Sequence, residues 1–132
     1  MKEEDKVSLA IIDYIQLMDC NYRAKSRNEE MLFIMTGLKR LAQELRIPII
    51  VLSQLGRACE MRKDHHPVLS DTGIRSDWSD IVLLLYRDGY YNNDSSGDKD
   101  MDTEVIIAKH PVLSGIPVTL HLNYNPKRGG FR

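Results

Sequence analysis

Cysteine is scarce in this sequence: Cys20 and Cys59 are the only two among 132 residues, and they form no CxxC pair. That excludes a disulfide-rich scaffold and favours reduced, free thiols, as in a cytosolic protein. Long apolar runs are missing too. None approaches the ~18 residues of a membrane span, so no membrane partner is expected. The opening residues, MKEEDK, are charged and unlike a secretory signal. Charge of one sign is also absent. Eighteen basic residues face nineteen acidic ones, for a net charge of −1, which gives no electrostatic argument for nucleic acid. Any DNA contact must rest on local loops or on an assembly. What remains is ordinary globular composition, 42% hydrophobic and 28% charged, enough for at most one domain with a core of moderate size.

The pattern along the chain is that of an α/β protein. Val7 to Ile12 is a nearly pure apolar run that ends abruptly at Asp13, as expected of a strand buried on both faces in a parallel sheet. Ser26 and Glu29 then make a Ser-x-x-Glu capping box. Behind it, Met31, Leu32, Ile34, Met35, Leu38, Leu41, Ala42 and Leu45 fall on one helical stripe, and Pro48 predicts a stop near Arg46. Ile49 to Leu52 is a second apolar run, ending in Ser53 and Gln54. The order strand, helix, strand fits a βαβ unit. Gly56 to Ser79 reads as irregular, and Ile81 to Tyr86 as a third buried strand. Asn92 to Asp102 is an acidic loop by composition. Glu104 to Lys109 and Pro117 to Leu122 predict a C-terminal β-hairpin at a sheet edge, turning at Ser114 and Gly115. The tail NPKRGGFR is basic and turn-rich.

Open parallel sheets bind ligands beyond the carboxyl ends of their strands. Three strands here end in polar groups, Asp13, Gln54 and Lys109. An acid after an apolar strand can support Mg²⁺ beside a nucleotide's phosphates, an amide can orient an attacking water, and a lysine can neutralise phosphate charge. Against this stands the plain alternative that polar residues simply punctuate strands.

The residues themselves resemble a known family. LAIIDYIQLM (Leu9–Met18), SRNEEMLFIMTGLKRLAQELRIPIIVLSQLGRACEMR, HPVLSD, DIVLLLYRDGYYN and EVIIAK occur in the order found in replicative DNA helicases of the DnaB family, from about Leu9 to Leu122. A lone Walker B segment is common, but this combination is specific. The resemblance implies the second half of a RecA-like P-loop NTPase core: a mostly parallel sheet with the C-terminal hairpin. It implies ATP-driven unwinding of duplex DNA, single-stranded DNA and identical subunits of a hexameric ring as partners, and a helicase loader or primase as further candidates. Carried over by position, Asp13 is the Walker B acid that supports Mg²⁺ through water. Gln54 is the γ-phosphate sensor. Lys109 reaches toward the neighbour's nucleotide.

Three features depart from the family. No GxxxxGK[ST] occurs among the 132 residues, and the family's phosphate loop and catalytic glutamate would lie upstream of Met1. The resemblance thus implies Mg²⁺ and ATP for a complete domain and neither for this chain alone. The alternative is a non-catalytic remnant that acts only by associating with other subunits. The strand carrying the phosphate loop would sit between the strand of Gln54 and that of Ile81–Tyr86, so these two are expected to pair directly or leave apolar edges open. Secondly, the family's Lys-x-Arg finger reads Lys109-His110-Pro111, which removes the arginine. Thirdly, SDTGIRSDWSD (Ser70–Asp80) is shorter than the family's DNA-facing loop, leaving Arg75 as its candidate phosphate contact.

Other residues carry two readings. Asp64, His65, His66 and Asp71 suggest a metal site, but adjacent histidines suit one helix face poorly, and a solvated loop is the expectation. Asp77 and Asp80 with Asp13 suggest a two-metal nuclease, though nothing in the sequence holds them together. Trp78 and the tyrosines Tyr86, Tyr90 and Tyr91 could stack nucleic-acid bases, but Trp78 is expected to pack at the base of the third strand and the tyrosines to form a strand-end aromatic cluster.

Overall fold

The computed structural model describes residues 7–21, 23–91, 102–113, 117–125 and 128–131. The chain divides into two compact units, Met1–Leu55 with Thr72–Trp78, and Gly56–Asp71 with Ser79–Arg132.

The first unit is the expected strand, helix, strand. β1 (Ala10–Ile12) and β2 (Ile49–Val51) pair in parallel, with Ala10 opposite Ile49 and Ile12 opposite Val51. Leu52 N–H donates to Ile12 O (2.9 Å) and Ile15 N–H to Leu52 O (3.0 Å), carrying the ladder past the strand ends. Between them runs α1 (Arg27–Leu45). Ser26 caps it as expected. Its Oγ accepts the Glu29 N–H at 3.2 Å, and Glu29 Oε2 in turn accepts the Lys25 N–H at 2.6 Å. Arg46 closes the helix in the left-handed conformation at φ 55°, two residues before Pro48.

The core of this unit is small. Ile15, on a 3-10 turn (Ile15–Leu17) that follows β1, is fully buried against Met31, Ile34 and Met35 of α1. Met18, Cys20, Leu38, Val51 and Ile74 close around them. The helical stripe is therefore core in its first half only, since Leu41 and Leu45 are exposed. Nor are the strands buried on both faces as their apolar runs suggested. Ile11 is 62% exposed and Ile50 is 48% exposed. A two-stranded sheet with one helix against it has only one covered face.

The second unit corrects the expectation of a mostly parallel sheet. β3 (Val82–Arg87), β4 (Asp102–Lys109), β5 (Val118–Asn125) and β6 (Gly130–Phe131) form an antiparallel sheet in that order, so the sheets are mixed in sense. The reason lies in β3. Its residues Val82 to Tyr86 read as one apolar run but are buried on one face, Leu84 at 3% exposure beside Leu85 at 63%. An uninterrupted apolar run does not distinguish the two cases. β2 and β3 do not pair with one another among the described residues. The predicted hairpin is present as β4 and β5, Glu104 opposite His121 and Ile107 opposite Val118, but β4 lies inside the sheet between β3 and β5. Its turn at Ser114 and Gly115 lies outside the described residues, as do 92–101 of the acidic loop and positions 126, 127 and 132 of the tail. Gly130 and Phe131 of that tail pair with Asn125 and Tyr124 as strand. Two short helices, α2 (Ala58–Met61) and α3 (Asp88–Tyr91), complete this unit.

Candidate functional site

Parallel pairing brings Asp13 and Gln54 to the same end of the first unit's sheet. Asp13 follows the last residue of β1, and Gln54 stands just beyond β2, with both exposed. The Asp13–Tyr14 peptide is cis. Directly after it comes the turn Ile15–Leu17, with Ile15 inward as the core plug and Gln16 beside the end of β2.

Gln16 was not singled out in the sequence, and the structure gives it the densest polar contacts of this region. Its Nε2 donates to Ser53 Oγ (2.9 Å) and to Gln54 O (3.2 Å), while its Oε1 accepts the Gln54 N–H (3.3 Å). The Gln16 carbonyl is held in turn. Arg27, in the first turn of α1, donates through Nη2 to Gln16 O (2.6 Å) and to Met18 O (3.4 Å), and through Nη1 to Glu30. Glu30 Oε1 accepts the Cys20 N–H at 3.3 Å. Arg27 foremost, with the Cys20 amide, holds the Glu30 carboxyl below its ordinary value. The signal for Gln16 lay in the segment IDYIQLM, but sequence spacing alone does not show which strand its amide meets.

Chemically, an exposed carboxylate at a strand end can support one divalent cation through water, and an exposed amide beside it can meet a phosphate oxygen or a water. Asp13 is the one expected metal-supporting residue. No group of three or more His, Cys, Asp or Glu that could hold a metal ion occurs among the described residues.

The remaining candidates have contacts of their own. Arg75, in the first unit, forms an exposed ion pair with Asp77, Nη2 to Oδ2 at 2.6 Å. Trp78, expected at the base of the third strand, sits instead in a 3-10 turn (Ser76–Trp78) that packs on α1. Lys109 ends β4 in the second unit, and its Nζ donates to Ser79 O at 2.7 Å. Pro111 is exposed in the bend that follows, where Val112 N–H donates to His110 Nδ1 at 3.1 Å.

The segment Asp64 to Asp71 is a solvated loop only in part: Asp64, Val68 and Ser70 are exposed, but Pro67 and Asp71 are buried. Asp71 is only 5% exposed and is paired with Arg62, and its Oδ2 also accepts the Val68 N–H at 2.7 Å. The Arg62 guanidinium, then the Val68 amide, hold its carboxyl below the ordinary aspartate value. His66 stacks on Tyr86 with centroids 3.8 Å apart and places Nε2 3.3 Å from Glu104, and His65 stacks on Tyr91 at 4.4 Å. Tyr86, Tyr90 and Tyr91 form the expected aromatic cluster. Burial, with the hydrogen bond to Asp88, pushes the Tyr86 hydroxyl up to about 12. These contacts use the histidines and Asp71 as packing and pairing groups.

Comparison with known proteins adds the following. A family model described as the DnaB-like helicase C terminal domain matches residues 1–132. The replicative DNA helicase DnaB of Geobacillus stearothermophilus is 43% identical over 113 residues, which are 83% of this chain and 24% of that protein. The replicative DNA helicase DnaC of Bacillus subtilis (strain 168) is 40% identical over 113 residues, again 83% and 24%. Among solved structures, a DnaB-like replicative helicase described with its interactions with primase superposes with a TM-score of 0.83 at 38% identity, covering 98% of this chain and 31% of that one. A solved ATPase domain gives the same TM-score and identity, covering 98% and 45%. The chain thus spans about a quarter of the length of the curated relatives it matches.

Proposed function

The chain belongs to the DnaB-like helicase C-terminal domain family, and on that premise we propose that it is part of the ATPase motor of a replicative DNA helicase, with a RecA-like α/β core. The observation that carries the reading is the placement of Asp13 and Gln54 at one end of two adjacent parallel strands, at the carboxyl ends where such sheets bind ligands. Asp13 supports Mg²⁺ through water, and Gln54 senses the γ-phosphate. Mg–ATP, when bound to a complete domain, supplies the phosphoryl group whose transfer drives unwinding. This chain's part is to hold an acid and an amide beside it. Lys109 serves the neighbouring subunit's nucleotide through the ammonium that also donates to Ser79 O. Identical subunits in a hexameric ring, single-stranded DNA met in part by Arg75, and a loader or primase are the partners of this reading, and the cytoplasm is its place.

The phosphate cradle is the part these residues do not supply. No GxxxxGK[ST] stands among the 132 residues, and backbone N–H groups of such a loop provide most phosphate contacts. Calorimetric titration of this chain with Mg–ATP is therefore expected to show no saturable heat. The same titration on a fusion, in which the preceding part of the Geobacillus stearothermophilus DnaB ATPase domain is joined before Leu9, is expected to show it. Equal, micromolar binding by both would refute the division of labour.

A second reading, a non-catalytic remnant that only associates with other subunits, is favoured by Pro111 where the family has its finger arginine. The coding sequence before Met1 separates the two: an in-frame phosphate loop supports the motor reading.

A further inference from the structure

We propose that Gln16 is the positioning residue for Gln54. The inference rests on the reading of Gln54 as the nucleotide-sensing amide and deepens it. The main-chain ladder between the first two strands ends with Leu52, which exchanges hydrogen bonds with Ile12 and Ile15. From Ser53 onward the second strand has left the ladder, yet this is where a sensor must be held still. The Gln16 carboxamide takes over. It accepts from the Gln54 N–H and donates to the Gln54 carbonyl, which is what a peptide group of a neighbouring strand would do, and it adds a bond to Ser53 Oγ. A single side chain thus fixes the main chain of Gln54 on both its polar groups and leaves the Gln54 side chain exposed toward solvent.

The anchor itself is braced. Arg27 holds the Gln16 carbonyl, Glu30 holds Arg27, and buried Ile15 plugs the same turn into the core. Because this turn begins two residues after Asp13, the metal-supporting strand and the sensor are joined through Gln16. A glutamine is suited to this and its near relatives are not. Glutamate keeps the acceptor but sets a negative charge against the Gln54 carbonyl, and leucine keeps the bulk but neither polar group.

The test has two arms. In this chain, amide hydrogen exchange followed residue by residue should show Gln16→Leu speeding exchange at Gln54 by about two- to tenfold, the factor one net hydrogen bond is worth. Exchange at Ile50, Val51 and Leu52 should stay within about twofold, and Gln16→Glu should retain part of the Gln54 protection. Unchanged exchange at Gln54, or an equal rise along the whole strand, overturns the proposal. In the fusion with the preceding part of the ATPase domain, Gln16→Leu should lower kcat while leaving KM for Mg–ATP unchanged. Added to Gln54→Ala, it should cost nothing further, because it acts through the residue already removed. Losses that add overturn the proposal and leave the sensor reading standing. Gln54→Ala without effect on turnover overturns the sensor reading, and the proposal with it.

Discussion

Replacing Ile15 by alanine probes the small core on which the site is built. Ile15 is the one fully buried large side chain among the described residues, and its partners are Met31, Ile34 and Met35. The change removes three carbons, worth about 2.4 kcal/mol at about 0.8 kcal/mol per buried methylene. A cavity term adds to this, and large-to-small changes of this kind cost about 2–5 kcal/mol. Two flexible methionines line the gap and can partly fill it, which places the expected loss near ~3 kcal/mol. With a urea slope of about 1–3 kcal/mol/M, the midpoint should fall by about 1–3 M. The assay is available in the chain itself. Trp78 is its only tryptophan and lies in the same unit as Ile15, so its fluorescence reports the unfolding of that unit. Ile11→Ala is the control. It removes the same carbons from a side chain that is 62% exposed, and should cost within about 0.5 kcal/mol. Equal midpoint shifts for the two variants would refute the reasoning, since they would mean that the face bearing Ile11 is covered in solution.

Two further outcomes follow from the geometry. Asp71 has its pKa lowered by Arg62, so it contributes stability that is present above the ordinary aspartate value of 3.8 and is lost as pH falls through its lower folded value. Asp71→Asn should therefore destabilise the chain by about 1–3 kcal/mol at neutral pH through weakened bonds to Arg62 and Val68, and urea midpoints of the two proteins should converge in acid below that value. In the fusion carrying the preceding part of the ATPase domain, Pro111→Arg should raise turnover without changing nucleotide affinity, because arginine fingers are worth roughly 10³–10⁵ in rate where they act. Steady-state kinetics showing no gain would mean that the bend after β4 does not reach a neighbour's nucleotide, or that Arg128 serves instead.

Legibility followed the length over which each signal acts. The capping box at Ser26, the stop before Pro48 and the βαβ order depend on neighbours within a few residues, and all three are present. The sense of the later strands was hidden because Ile81 to Tyr86 is an uninterrupted apolar run, while only alternate side chains of β3 are buried. Asp13 and Gln54 could be named as a pair because parallel strands end on the same side. The Gln16 contacts were not readable, since they join residues 37 and 38 positions apart through a side chain whose direction is set by the turn. Asp71 looked like loop because pairing with Arg62, which allows an acid to be buried, leaves no local pattern.

Asp13→Asn in the fused ATPase domain tests whether Asp13 supports the metal of a nucleotide site. The substitution keeps the size of the side chain and removes its charge. Hydrolysis of Mg–ATP, followed as released phosphate, should fall to background, and the urea midpoint should stay close to that of the parent because Asp13 is exposed. Unimpaired hydrolysis by the Asp13→Asn protein would contradict the account.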